Sequence, residues 1–299
     1  MDIVLQKDRI SAVVSGHISK RTGPDPKLDF TIVTPSFNYG NFIGECLSSV
    51  AGQSGVRLEH LIIDGCSTDD TAEIVRRFSH ATLLQEPDNG MTEAINKGFR
   101  MARGAWVMWL NADDRLLPDA LHSVLEFVQT RDSVDVVFGC WNFVNEDGEF
   151  LRRMTLFPFL RGMIANYGCF LGSTATFFRV DTTVGEGIFL NENFRYVMDG
   201  EYFARLSAMG KRFAYLPRVI ADFRLHGASI SQRNLERRDI DGVLAYQKQV
   251  AESRAIRRIY GIRLSNDEML NGVVEGVVFQ WYRVVKGLLR TLYRHRCTE

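Results

Sequence analysis

Apolar residues recur along the first half of the chain in two patterns that alternate with each other. Short runs rich in β-branched residues end abruptly at proline, glycine or aspartate, as Phe30–Thr34 does at Pro35, and they predict strands. The segments between them carry apolar residues at helical spacing, as at Ile43, Leu47 and Val50. This alternation predicts right-handed βαβ crossovers and an α/β fold with a mostly parallel sheet flanked by helices.

The run Ala105–Leu110 is continuously apolar, which is typical of a strand buried on both faces of a parallel sheet. In such sheets ligands bind beyond the carboxyl ends of the strands. We therefore expect the polar or turn-forming segments that directly follow apolar strands to converge at one edge. They are Thr34-Pro35-Ser36, Asp64-Gly65 and Asn111-Ala112-Asp113-Asp114. Further strands are predicted over 58–63, 82–84 and 134–139, and helices over 91–103 and 117–128.

The regular alternation is lost in the second half, and this change divides the chain. We predict an N-terminal extension over 1–29, an α/β domain over 30–230 and a helical C-terminal region over 231–299. Apolar residues fall at helical spacing from Leu270 to Leu292, interleaved with arginine and lysine. Two interpretations stay open: a helix packed on the domain or on a second subunit, and an interfacial helix at an anionic membrane surface through 270–296.

Composition narrows the class of protein. The 36 lysines and arginines balance 36 aspartates and glutamates, so bulk charge indicates no nucleic-acid partner. The five cysteines form no C-x-x-C pair, and we expect isolated thiols in a reducing compartment. The N-terminus lacks the features of a secretory signal, and no run approaches the roughly 18 apolar residues of a membrane span. We therefore expect a cytoplasmic location, with the inner face of the membrane as an alternative.

Two adjacent carboxylates, Asp113 and Asp114, follow the predicted buried strand. Burying both is costly unless a positive charge compensates them, and a divalent cation with oxygen ligands would do so. Such a metal would also neutralise a departing diphosphate. The alternative is that Asp114 caps a helix beginning near Leu116 while Asp113 is solvated. For an isolated pair of aspartates, the cap is the more common arrangement.

Residues 30–230 resemble the family 2 glycosyltransferases, which are inverting enzymes with the GT-A fold. Phe30–Asn38 is similar to the family's opening strand and loop, and Ile62–Asp69 to its second strand with a D-G-S-x-D ending. Trp109–Asp114 occupies the place of the metal-binding D-x-D. The order and spacing of the segments make the resemblance specific. Glu86–Gly90 and Asn96–Gly98 also match a segment common in the bacterial members.

The resemblance implies roles for individual residues. Thr34-Pro35-Ser36 and Ala112 would bind the nucleotide-sugar donor, and Asp64 would accept a hydrogen bond from the base, typically uracil. Asp113 would hold Mn²⁺ or Mg²⁺ through the donor's diphosphate. The first position of the D-x-D is Asn111 here, whose amide can bond a ribose hydroxyl but contributes no charge.

A candidate base lies in the second half of the chain. Phe194–Leu206 resembles the family's D-x-D-L-W-L-R-L helix, and by that match Asp199 is the general base, with Glu201 in reserve. Inversion needs one displacement at the anomeric carbon, and a carboxylate within reach of the acceptor hydroxyl can take its proton. The alternative is that Asp199 caps the helix and Glu201 pairs with Arg205.

Phe223–Ser229 resembles the family's closing R-x-H-x-x-S. By that match His226 would ligate the metal or touch the diphosphate, and Arg224 would offset phosphate charge; the alternative for His226 is a structural role. The leading hypothesis is transfer from a UDP-sugar to a saccharide or lipid-linked acceptor in polysaccharide or cell-surface glycan synthesis. Asn111 keeps a rival open, a non-catalytic nucleotide-sugar-binding or assembly subunit on the same fold.

Overall fold

A computed structural model of the protein describes residues 28–227, 240–262, 268–293 and 296–297. All but the last two residues of the predicted N-terminal extension therefore lie outside the described residues. The strands are β1 (Phe30–Ser36), β2 (Leu58–Asp64), β3 (Ala81–Gln85), β4 (Trp106–Trp109), β5 (Arg115–Leu116), β6 (Val136–Val144), β7 (Phe150–Met154), β8 (Thr176–Arg179) and β9 (Phe213–Arg224). The α-helices are α1 (Gly40–Ala51), α2 (Thr71–Arg76), α3 (Met91–Met101), α4 (Ala120–Gln129), α5 (Met163–Asn166), α6 (Met198–Ala208), α7 (Ile240–Tyr260) and α8 (Glu268–Tyr293).

These strands form one sheet in the order β3-β2-β1-β4-β8-β6-β9-β5, with β7 paired to β6 outside this path. The strands β3, β2, β1 and β4 are parallel, and so are β6 and β9. Because β8 is antiparallel to both β4 and β6, these six strands all run the same way. The mostly parallel sheet with flanking helices is therefore confirmed. Its carboxyl edge carries the ends of β1, β2, β4 and β9.

The core is built where the sheet meets α3 and α6. Every residue of β4 is buried, as its continuous apolar sequence predicts. The Trp109 indole lies nearly parallel to the rings of Phe178 in β8 and Phe203 in α6, with centroids 5.6 and 6.4 Å apart. On the same helix, the buried Tyr202 hydroxyl donates to the Ile188 carbonyl. This aromatic packing fixes α6, and thereby its first turn, against the sheet.

Of the C-terminal helices, α7 packs on α5 and α6, and α8 packs on α5. Tyr282 of α8 is buried and its hydroxyl donates to the Arg161 carbonyl at 3.0 Å. The predicted packing of this helix on the domain is therefore confirmed. None of the helices described combines the length and apolar character that crossing a bilayer requires.

The expectation of isolated thiols is wrong for two cysteines. Cys140 of β6 and Cys297, which follows α8, form a disulfide across 157 residues of sequence. Tertiary packing brings them together, so their spacing along the chain carried no signal. The bond ties the end of α8 to the sheet. Cys46, Cys66 and Cys169 are free thiols.

Candidate active site

The loops at the carboxyl edge converge as the sheet rule predicts. Ser36 and Asp64 are paired residues at the ends of β1 and β2, and the Gly65 N–H donates to the Ser36 carbonyl at 2.9 Å. At the ends of β4 and β9, His226 Nε2 lies 2.9 Å from Asp113 Oδ2. The edge therefore gathers two adjacent sets of polar groups from four strands.

Two buried polar atoms at this edge lack a hydrogen-bond partner among the described residues. They are Ser36 Oγ and Asn111 Oδ1. The Asn111 amide nitrogen is occupied, because it donates to Asp114 Oδ2 at 3.1 Å. Buried polar groups are nearly always paired in native proteins, so unpaired ones at a sheet edge indicate where a ligand would complete the bonding. Both residues were predicted to contact the donor.

Three other residues predicted to contact the donor have buried side chains, and their contact with the donor stays a prediction. The Thr34 hydroxyl is fully buried and lies 2.8 Å from His60 Nε2. Pro35 is buried within β1. Ala112 packs in an apolar cluster with Ile43 and Ile62. These positions can meet a ligand only through their backbone.

Asp64 is fully buried, and protein donors orient its carboxylate. Its Oδ2 accepts from the Ser67 N–H and from Gln85 Nε2, both at 2.9 Å, and the Ser67 hydroxyl donates to Oδ1. Its contact with a nucleotide base stays a prediction. The backbone at Gly65, the residue after Asp64, passes close to the Asp88 side chain. A Cβ at Gly65 would lie 2.7 Å from Asp88 Oδ2.

Asp113 and His226 form the pair on which a metal site depends. Both are nearly buried, at 8% and 3% exposure, and the imidazole packs on the Phe42 ring at 4.4 Å. A carboxylate oxygen and an imidazole nitrogen are metal ligands that suit Mn²⁺. The pair fits a cation that takes its remaining ligands from phosphates and water. Among the described residues, no group of three histidine, cysteine, aspartate or glutamate side chains could hold a metal. A cation held by Asp113 and His226 would therefore take its further ligands from other groups, such as phosphate oxygens and water.

Asp114 has neither of the roles predicted for it. Leu116 lies in β5, which pairs with β9, and α4 begins only at Ala120, so Asp114 caps no helix. Its carboxyl is 1% exposed and accepts from the Arg224 N–H at 3.0 Å and from the Thr174 hydroxyl at 2.5 Å, besides the Asn111 amide. Burial, and then the charge of Asp113, hold its pKa well above the usual range. Asp114 therefore joins three segments of the fold.

The role predicted for Arg224 also changes. Its guanidinium is 1% exposed and donates to the carbonyls of Asp113 and Glu146 and to the Glu45 carboxylate, at 2.9, 2.5 and 2.6 Å. These bonds hold the Asp113 backbone and leave the side chain without access to a phosphate.

The candidate base Asp199 lies in the first turn of α6 and is half-buried. The N-cap of the helix is Val197 and not Asp199, whose carboxylate accepts from the Gly200 N–H at 2.7 Å. Burial raises the pKa of this carboxyl above its ordinary value. Asp199 thus has hydrogen-bonding capacity to spare and a basicity increased by its surroundings, as a general base requires.

Glu201, the reserve candidate, is fully buried. Its Oε1 accepts from Arg205 Nε at 2.8 Å and from the Tyr260 hydroxyl at 2.7 Å. The alternative pairing with Arg205 is confirmed, and no exposed oxygen remains to receive a proton. The Tyr260 bond also attaches α7 to α6.

The segment between Cys169 and Thr174 connects the two halves of the site. Thr174 bonds Asp114, and a Cβ at Gly200 would meet Cys169 Cβ at 3.4 Å. Five residues of extended chain span at most roughly 18 Å. The contact of Cys169 with α6 and the contact of Thr174 with Asp114 are therefore joined by a short segment of chain.

Comparison with known proteins identifies the family of the chain. The family model described as Glycosyl transferase family 2 matches residues 31–189, which is more than half of the 299 residues. The chain belongs to this family.

Two curated relatives of this family 2 chain act in polysaccharide synthesis by their names. Chondroitin synthase of Pasteurella multocida (strain Pm70) is 28% identical over 215 residues, covering 69% of this chain and 22% of that protein. The putative teichuronic acid biosynthesis glycosyltransferase TuaG of Bacillus subtilis (strain 168) is 33% identical over 134 residues, covering 43% of this chain and 52% of that protein. The chain thus spans about a fifth of the first relative and about half of the second.

Solved structures show the GT-A fold. S. aureus TarS 1-349 in complex with UDP-GlcNAc superposes with a TM-score of 0.58 at 16% identity, over 85% of this chain and 79% of that one. The mannosyltransferase PcManGT from Pyrobaculum calidifontis, in complex with GDP-Man and Mn²⁺, gives 0.53 at 16% identity, over 95% and 90%.

Sequence patterns missed one residue that shapes the site of this family 2 chain. The Glu252 carboxylate of α7 accepts from the backbone N–H groups of Arg195, Tyr196 and Val197, at 3.1, 2.8 and 3.0 Å. It thereby satisfies the backbone N–H groups of the segment that leads into α6, just before Asp199. Glu252 is more than 50 residues away in sequence, and its type and spacing gave no signal.

Proposed function

We propose that the chain is an inverting glycosyltransferase that moves a sugar from a UDP-sugar to a saccharide or lipid-linked acceptor during polysaccharide or cell-surface glycan synthesis. The Asp113–His226 pair at the carboxyl edge of the sheet carries the proposal. It is supported by the family, by the UDP-GlcNAc bound to TarS, and by the names of the relatives. Asn111 Oδ1 and Ser36 Oγ would complete their bonding on the donor.

Asp113 and His226 are the residues that would hold Mn²⁺ or Mg²⁺. When bound, the cation supplies positive charge that compensates the departing diphosphate. Arg224 holds the Asp113 backbone, and the Phe42 ring packs against the imidazole. Both metal-binding side chains are therefore held in place before the cation binds. The Mn²⁺ in the PcManGT structure supports this assignment.

Asp199 would accept the proton of the acceptor hydroxyl. In a single displacement, the acceptor oxygen forms its bond to the anomeric carbon while the bond to the diphosphate breaks. The nucleotide leaves with the electron pair, and the proton moves to the Asp199 carboxylate. Attack from the face opposite the leaving group inverts the anomeric configuration. Glu252 serves this step indirectly, since it orders the residues just before Asp199.

Binding and turnover separate this proposal from a non-catalytic binding or assembly subunit. We expect calorimetry to show UDP binding that strengthens with Mn²⁺, and the same protein to release UDP from a UDP-sugar when acceptors are added. Donors would first be ranked by thermal shift, since a ligand stabilises the protein according to its concentration and affinity. Binding of UDP with Mn²⁺ but no turnover over a broad acceptor panel would favour the binding subunit.

We also propose that α8 contacts the inner face of an anionic membrane. Besides its packed face, this helix carries a second, exposed face, here called the apolar stripe, whose side chains are 57–68% exposed. Between residues 283 and 296 the sequence has five basic residues and no acidic one, which suits anionic lipid. The stripe comprises Val277, Trp281, Val284, Leu288 and Leu292.

A flotation assay tests the stripe. We expect the full-length protein to float with vesicles that contain anionic lipid, and Trp281→Ser with Leu288→Ser to weaken vesicle binding at least about 100-fold, because burial of each side chain is worth about 1.5–3 kcal/mol. Phe150→Ser is the matched control, since Phe150 is an exposed aromatic residue of β7. Equal recovery of all three proteins would reject the membrane contact. Self-association lost with the stripe would instead indicate a homo-oligomer.

A further inference from the structure

A cavity of about 150 Å³ lies beside the candidate base, between α5, α6 and α7. Gly200, which follows Asp199, forms part of its wall. The cavity is therefore placed where part of an acceptor could lie while its hydroxyl meets Asp199. Its lining includes Tyr167, Cys169, Val197, Ser253, Ile256 and Arg257.

Arg257 brings an unpaired donor to this cavity. Its Nε is buried and has no hydrogen-bond partner in the part of the chain that the structure describes. The guanidinium carbon lies 5.7 Å from the centroid of the Phe279 ring of α8. A buried guanidinium N–H without an acceptor is costly, and an incoming oxygen ligand would remove that cost.

Lys286 of α8 is the second cation. Its Nζ lies 4.6 Å from the centroid of the Tyr167 ring, which stacks on Phe279 at 5.0 Å. The two cations therefore contact the two rings of one stacked pair. Lys286 is half-buried, and no carboxylate lies within 4.0 Å of it among the described residues. Burial, and then the charge of Arg290, lower the pKa of its ammonium group.

Both cations belong to the surroundings of the base. Arg257 lines the same cavity as Gly200, the residue after Asp199, and Lys286 lies over the ring of Tyr167, which also lines that cavity. The acidic residue next to the cavity on α7, Glu252, is occupied by three backbone N–H groups. Among the described residues, Arg257 and Lys286 thus contact aromatic rings but no carboxylate.

We propose that Arg257 and Lys286 bind an anionic oxygen group of the acceptor, a carboxylate or a phosphate, and so select acidic acceptors for the hydroxyl at Asp199. The proposal rests on the proposed transferase function. Arginine is suited to such groups because its planar N–H donors match their paired oxygens, and charge-assisted bonds in a partly buried site are stronger than neutral ones. Arg257 belongs to α7 and Lys286 to α8, so the C-terminal helices would determine acceptor choice.

Kinetics with matched acceptors test the selection. The full-length wild type, Arg257→Gln and Lys286→Met are compared with an oligosaccharide ending in a glucuronate, one ending in a sugar phosphate, and one ending in neutral glucose. We expect each variant to raise the KM of one acidic acceptor about 10- to 100-fold. The KM of the neutral acceptor and of the donor should stay unchanged. Whichever acid responds identifies the group as a carboxylate or a phosphate. Arg254→Gln, an exposed arginine of α7, is the control.

Direct binding keeps this test separate from the transferase function. Calorimetry with methyl glucuronide and with phenyl phosphate, without donor, should show binding of at least one to wild type and loss in Arg257→Gln. Binding without transfer would leave the site standing and reject the proposed function. No binding of either acid, equal KM increases for neutral and acidic acceptors, or an increased donor KM would overturn the proposal. Unfolding temperatures of the variants should lie within a few degrees of wild type, because each cation loses a ring contact but no carboxylate partner.

Discussion

An Asp199→Asn protein should transfer sugar about 10²- to 10⁴-fold more slowly than wild type, because general-base catalysis is worth that much. The amide is nearly the same size as the carboxyl but cannot take a proton. Its Oδ1 can still accept from the Gly200 N–H, so the first turn of α6 should keep its conformation. Initial rates of UDP release at saturating donor and acceptor measure the loss.

The pH dependence gives the same residue a second signature. Burial raises the pKa of Asp199, so the carboxylate becomes protonated at a higher pH than an ordinary aspartate as the solution is acidified. The acid limb of kcat/KM should therefore lie above the usual range of aspartate and disappear in Asp199→Asn. A charge that burial disfavours also destabilises the fold, so the variant should unfold at the wild-type temperature or slightly above it.

Asp132→Asn serves as the control, since Asp132 is exposed and precedes β6 at the opposite end of the parallel strands. It should keep the wild-type rate. An Asp199→Asn protein with full activity and an unaltered acid limb would remove Asp199 from the mechanism. Glu201 would not replace it, because its buried carboxylate is already bonded to Arg205 and Tyr260.

The sequence predicted well what local patterns determine. The apolar run ending at Leu110 identified a central strand, and the polar residues after it marked the ligand edge. The partners of Asp114 could not be predicted in this way. Thr174 and Arg224 are 60 and 110 residues away, and only the folded sheet brings them to one carboxyl. The two-residue strand Arg115–Leu116 is too short to show a period and was not predicted, and the helix predicted from 117 begins only at Ala120.

In the C-terminal region, too, the sequence predicted local structure but not the contacts between distant segments. Helical spacing predicted α8, but it did not show that the helix has one packed and one exposed apolar face. Helical spacing also gave no indication that Glu252 bonds the chain before Asp199, or that Cys297 returns to Cys140. These contacts depend on how α7 and α8 dock on the domain. Residue pattern within one helix carries little information about how that helix docks on the rest of the fold.

Asp113→Ala should cost at least about 10²-fold in the rate of transfer. Removal of a ligand weakens the cation that compensates the diphosphate, and such charge stabilisation is worth several kcal/mol. The change also deprives the buried His226 of its hydrogen bond, so part of the effect could be structural. Asp113→Asn separates the two causes, because the amide can retain the bond to His226 while losing the charge. We expect Asp113→Asn to unfold close to the wild-type temperature and still to lose most activity.

The central claim is that this edge of the sheet carries out metal-assisted transfer through Asp113. Its most direct test is the rate of UDP release against Mn²⁺ concentration, measured for wild type, Asp113→Ala and Asp132→Asn with the same UDP-sugar and acceptor. The wild type and Asp132→Asn should rise with Mn²⁺ and saturate together, while Asp113→Ala stays at least about 10²-fold lower at every concentration. An Asp113→Ala protein that saturates at the wild-type rate would contradict the account.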